Sequence, residues 1–158
     1  MTAEGALYQA RDMLTQHIET VLANLDEEYT LATKTPPPRA IKVGSYLGRE
    51  EILAELPAVT LEARSTTLIG TQEPWQEVRH TLWGWAFAVG TSVEQLFVWA
   101  MRYGESLRRV ISDRSNWSGY HNPTVTTTMY TNVFQAGHRL VQGCRVEFEV
   151  REFMREGG

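Results

Sequence analysis

The chain is short of several things, and each shortage excludes a class of protein. It has one cysteine, Cys144, in 158 residues. No internal disulfide framework can form from one thiol, and a reducing compartment of synthesis is expected. No apolar run reaches the ~18 residues of a membrane span; the longest, Leu82 to Val89, is broken by Gly84. The opening Met1-Thr2-Ala3-Glu4 has no basic segment followed by an apolar one, so no signal peptide is expected. Basic charge is also scarce: 15 Lys and Arg stand against 19 Asp and Glu, for a net charge of -4. That sign argues against a general nucleic-acid binder, which must neutralise phosphates.

What is present suits one globular domain covering residues 1–158, with 42% hydrophobic and 22% charged residues. A chain of this length buries about two-thirds of its unfolded surface. The charge is unevenly spread. Residues 1–33 hold six acids against Arg11 alone, whereas residues 34–49 hold Lys34, Arg39, Lys42 and Arg49 and no acid. Such polarity serves either head-to-tail contacts between subunits or ordinary solvation.

Leu7, Ala10, Leu14, Ile18, Val21 and Leu25 recur at steps of three or four and predict a helix over 4–33 with one apolar stripe. Asp26, Glu27 and Glu28 fall where a helix dipole disfavours acids, so either the helix runs on toward Lys34 or the acids make a contact. Pro36-Pro37-Pro38 forbids helix and predicts a stiff connector over 34–39. Residues 39–57 give no single pattern: Ala40 to Val43 is compatible with a short strand, and Glu50 to Leu56 with one or two helical turns ended by Pro57. Alternation from Val59 to Arg64 predicts a strand. The Ser, Thr, Gly and Pro residues from Ser65 to Pro74 predict a loop.

Residues 76–89 predict a long strand that is apolar on both faces in its second half. Trp83, Trp85, Phe87 and Val89 lie on one side; Leu82, Gly84, Ala86 and Ala88 lie on the other. Such a strand needs cover on both sides, from a partner subunit or from a loop of its own chain. Thr91-Ser92-Val93-Glu94 matches a capping box with Thr91 as the cap. It opens a helix whose apolar positions are Val93, Leu96, Phe97, Ala100, Tyr103, Leu107, Val110 and Ile111. Residues 116–123 predict a loop, Thr124 to Phe134 a strand, and Cys144 to Arg151 a strand with its apolar and charged residues on opposite faces. The expected fold class is α+β: a four-stranded, mainly antiparallel sheet with two long helices packed on one face, in the order α-β-β-α-β-β. The sheet and second helix span 58–153.

No residue pattern asks for catalysis. His17, His80, His121 and His138 lack metal-site spacing, and Cys144 has no CxxC partner. Cys144 opens a strand, where a packed thiol is expected rather than a reactive one. Gly44-Ser45-Tyr46-Leu47-Gly48 lacks the lysine of a phosphate loop, and no Gly-x-Ser-x-Gly elbow occurs. Glu147 and Glu149 alternate with Arg145 and Arg151, a solvated or cross-strand pattern. No catalytic residue, metal ligand or cofactor site is therefore expected. Trp75 and Trp117 fall in expected loops, either as anchors against a partner or folded back on their own domain.

The run Trp85-Ala86-Phe87-Ala88-Val89-Gly90, then Glu94-Gln95-Leu96, then Arg102-Tyr103-Gly104-Glu105-Ser106-Leu107, resembles the centre of tailed-bacteriophage tail terminator proteins. The opening helix and the closing strand pair resemble them too, and the likeness covers residues 4–33 and 76–153. It implies a virion structural protein, not an enzyme, that is made in the host cytoplasm and built into the tail or neck. Its partners would be its own copies in a ring, commonly a hexamer, together with the tail tube protein and the head connector protein. DNA would be only a passenger through the lumen, and no membrane is involved. The candidate interface residues are Trp75, Trp83, Trp85, Phe87, Trp117 and Tyr120; Trp83, Trp85 and Phe87 would be buried in the subunit or between subunits, with loops 65–75 and 113–123 meeting neighbouring rings. Other classes stay open: a different neck or connector ring protein, a host-side interaction module sharing the layout, or a small ligand-binding domain with a pocket near Trp99 and Tyr103.

Overall fold

A computed structural model describes residues 2–33, 42–43, 57–70, 75–117 and 121–155. Its elements are α1 (Ala3–Thr33), β1 (Lys42–Val43), β2 (Ala58–Gly70), β3 (Trp75–Gly90), α2 (Val93–Ser112), β4 (His121–Tyr130), β5 (Phe134–Ala136) and β6 (Arg139–Arg155). Among the described residues the sheet order is β1-β2-β3-β6-β4, with β5 alongside β6. The four long strands pair antiparallel, and the short β1 joins β2 in parallel. The class is α+β. The expected connector over 34–39 and most of residues 39–57 lie outside the described residues.

Both helices pack on the same face of the sheet. Ala6, Ala10, Leu14, Ile18 and Leu22 of α1 and Leu96, Tyr103, Leu107 and Ile111 of α2 share one core with Leu61, Leu82, Ala86, Cys144, Val146, Phe148 and Val150. The sheet residues of that core alternate along their strands, as the period-two pattern requires. Burial pushes the Cys144 thiol up to about 12, which keeps it protonated and inert. β3 and β4 both run antiparallel to β6, so they are parallel to each other, and α2 is the crossover joining them.

α1 continues through its acidic stretch to Thr33, and Asp26 also makes a contact. Arg102 of α2 donates to Asp26 at 2.8 Å, fastening the later turns of α1 to α2. Where α2 crosses β6, a Cβ added to Gly104 would collide with Cys144 Sγ. Gly104→Ala should therefore cost about 1–3 kcal/mol through overpacking, more than its gain in helix propensity of ~1 kcal/mol offsets. A thermal melt in which the variant matches or exceeds the parent would contradict that close approach.

Several boundaries differ from expectation, each for a physical reason. The segment expected as a loop from Ser65 is strand as far as Gly70, because β3 pairs with it throughout. Its Ser and Thr residues are polar since both faces beyond Leu61 stay mostly exposed, not because the chain turns. The cap of α2 is Ser92 rather than Thr91: its side chain accepts from the Gln95 amide, and its carbonyl accepts from Leu96. Within α2, Leu96, Ala100, Tyr103 and Leu107 point inward, and Val93 and Phe97, expected on the apolar stripe, face solvent. β4 begins at His121 inside the expected loop and stops at Tyr130. After Thr131–Val133 the chain resumes as β5, which turns at Gly137 (φ 65°) into a β6 that starts earlier than expected.

Candidate functional site

The helix-free face of the sheet holds most of the expected contact residues. Along β3, Trp75, Glu77, Arg79, Thr81, Trp83, Trp85, Phe87 and Val89 alternate onto this face. Their neighbours on β6 run from Arg155 to Val141. At one end Trp85, Phe87 and Val89 form a second small core with Ala58 and Val141, and Phe134 and Ala136 of β5 pack against it. The Phe87 ring lies across the backbone of Gly143, where a Cβ would come within 2.8 Å of it. It also stacks on Trp85 at 5.8 Å between centroids. Phe87 is fully buried and Trp85 retains 7% of its surface. Both are buried within the subunit, the first of the two placements open to them. Cover for this end of the strand comes from its own chain: Phe134 and Ala136 of β5, which pairs with β6, pack against the cluster.

Trp83, the next residue outward on this face, is half-buried in a charged setting. The guanidiniums of Arg64 and Arg145 stand 4.0 and 3.9 Å from its ring centroid. Its indole N–H donates to Glu147 at 2.9 Å, and that of Trp85 donates to Glu62 at 2.7 Å. Farther along the strands, Arg79 and Arg151 reach Glu77 at 3.0 and 3.7 Å, and Arg151 also reaches Glu149 at 3.7 Å. The hydrogen bond to Glu77 holds the Arg79 guanidinium above its ordinary pKa. Of these pairs Arg151–Glu77 crosses between strands, whereas Arg79–Glu77 and Arg151–Glu149 run along one strand, on a largely half-buried face.

The remaining candidates separate. Trp117 folds back: it is buried against Phe148, and its N–H donates to the Ile111 carbonyl at 2.8 Å. It closes the end of α2, the folded-back alternative of the two expected for it. Trp75 is 53% exposed at the start of β3, in a strand and not a loop. Tyr120 lies outside the described residues. His80 is buried and shares a 3.0 Å hydrogen bond with Thr66. Among the described residues no group of three or more His, Cys, Asp or Glu is placed to hold a metal ion. Tyr103 is fully buried at the level where α2 touches β6, so its ring packs in the core and lines no cleft.

A different apolar surface emerges on the helix side, at the end of the sheet where β3 finishes. Val93, Phe97 and Met101 follow one another at four-residue steps on the outside of α2, and Tyr130 of β4 is exposed beside them. The Phe97 and Tyr130 rings meet at 6.2 Å. Only Val93 and Phe97 stood out in the sequence, and as core residues. The signal available was a second apolar stripe on α2, rotated from Leu96-Ala100-Tyr103-Leu107. Among the described residues β4 pairs with β6 alone, which leaves its other edge open.

In comparison with known proteins, the chain matches no family model and no curated protein.

Proposed function

We propose that the chain is an assembly subunit of a tailed bacteriophage that forms a ring, caps the tail tube and presents the joining surface for the head. The observation that carries the assembly half is the exposed Val93-Phe97-Met101 stripe beside the open edge of β4. Contiguous exposed apolar surface next to an unpaired strand edge marks a protein contact. The phage half rests on the sequence resemblance, and a hexamer is the ring size it implies. Mechanism in this reading is binding alone: ring closure stops tube polymerisation and creates a new face. The net charge of -4 suits a lumen through which DNA passes without sticking.

Electron microscopy of the purified protein, alone and with assembled tube protein, tests the reading. Rings that sit on tube ends and halt elongation are the expected result. A chain that stays monomeric at high concentration and leaves elongation unchanged would sink it.

A further inference from the structure

One row across the helix-free face of the sheet is built differently from the rest. Glu62, Trp83, Glu147 and Thr127 stand side by side on β2, β3, β6 and β4. Beside this row β2 bulges at Arg64 and β4 at Thr126. Each bulge adds a side chain to it: the Arg64 guanidinium lies over the Trp83 ring, and the Thr126 hydroxyl donates to Glu147 at 3.1 Å. The carboxylates here are engaged, Glu62 by the Trp85 N–H and by Arg64 at 3.5 Å, Glu147 by the Trp83 N–H and Thr126. Arg145, in the next row, is not. It stacks over Trp83, and its Nε is shut off from water with no hydrogen-bond partner. Among the described residues no carboxylate pairs with it. Arg114 and Arg139 also lack an acid there, but both are exposed and stay hydrated.

We infer that Arg145 receives a carboxylate from α1 of a second copy, so that the helix-free face of one subunit meets the helical side of the next. This rests on the self-assembly half of the reading above. A half-buried guanidinium stacked on a ring keeps its in-plane donors for a planar acceptor, and a carboxylate fits them. Glu62, Glu77, Glu147 and Glu149 on the same face would repel a polyanion such as DNA, which favours a single acidic side chain. The chain itself supplies such groups. Of the six acids of α1, Asp12, Asp26 and Glu28 have arginine partners. Glu4, Glu19 and Glu27 are exposed and, among the described residues, have none. Within one subunit the sheet separates α1 from Arg145, so their contact has to be between copies. Lying on opposite sides of one layer, the two surfaces make a heterologous contact, the kind that can close into a ring. Met129, exposed next to Arg145 on β4, adds apolar area at the same place.

Analytical ultracentrifugation of charge-swapped chains tests this. Arg145→Glu, and separately a chain with Glu4→Lys, Glu19→Lys and Glu27→Lys, should each self-associate about tenfold more weakly than the parent. Mixed in equal amounts they should regain the parent's association, since each altered surface then meets the opposite charge. Melting temperature checks folding, and Arg145→Gln, with a loss in the same direction, stands in should Arg145→Glu fail to fold. The inference is overturned if a folded variant associates like the parent, if the mixture stays as weak as its components, or if the parent never associates. It is overturned as well if Glu147→Arg in the same chain repairs Arg145→Glu, which would set two helix-free faces against each other. Rings that cap tubes despite Arg145→Glu would remove this contact and leave the ring reading standing. Restored mixtures that never cap tubes would do the reverse.

Discussion

Trp85→Ala should lower the melting temperature by about 10 °C and leave self-association intact. Truncating a buried tryptophan costs about 3–5 kcal/mol. The lower end applies here, since Trp85 sits in a thin outer core and not beneath the helices. A loss near 3 kcal/mol corresponds to a fall of about 6–12 °C in a chain of this size. The loss has three sources: the stacking on Phe87, the edge contact with Trp83, and the hydrogen bond to Glu62. Trp85→Phe separates them, because it retains a ring and removes the N–H, and should cost only about 1–2 kcal/mol. Differential scanning calorimetry reads the stability, and sedimentation of the same samples reads the association. A variant that melts like the parent but no longer associates would show that Trp85 faces a neighbour, contrary to its burial.

The second large effect is expected at Arg102. Arg102→Ala should cost about 2–3 kcal/mol. Breaking one side of a buried ion pair costs about 3–5 kcal/mol; the figure is reduced here because Asp26 keeps 15% of its side-chain surface and can recover some hydration. The cause is the carboxylate left behind, not the value of the pair itself. Arg102→Met combined with Asp26→Leu should therefore restore most of the stability lost in Arg102→Met alone. The site predicts an order of events as well. Hydrogen exchange should show the amides around Leu22 to Glu28 losing protection before those of β3 and β6. Uniform loss across the sheet would mean that Asp26 and Arg102 do not specifically hold α1 in place.

Elements with a regular period were legible before any coordinates. The stripe from Leu7 to Leu25 placed α1, and the alternation from Cys144 to Arg151 placed the two faces of β6. Both patterns report which side of an element is dry, and one core on one side of a sheet imposes that division. The acids at 26–28 already signalled a contact, although nothing local named Arg102, which is 76 residues away from Asp26.

The contact residues were less legible. A large aromatic in an apparent loop can be an anchor or a lid, and the two are alike in sequence. Trp117 turned out to close α2, and Trp75 to begin a strand. On α2 the apolar positions cover more than one face, and packing buried Leu96, Tyr103 and Leu107 while leaving Val93 and Phe97 at the surface. That choice is set by what Leu96, Tyr103 and Leu107 must fill between helix and sheet, which is not a local property.

The chain by itself determined the α+β class, the two long helices and the alternating faces of its strands, because burial acts on each residue through its neighbours three, four or two positions away. Only tertiary structure decided where the strand apolar on both faces finds its second cover, since that depends on Val141, Phe134 and Ala136, distant in the chain, packing against Trp85 and Phe87. It also decided which apolar residues remain exposed, Leu68, Trp75 and the stripe along α2 among them, because exposure is what remains once the packing of distant segments is complete.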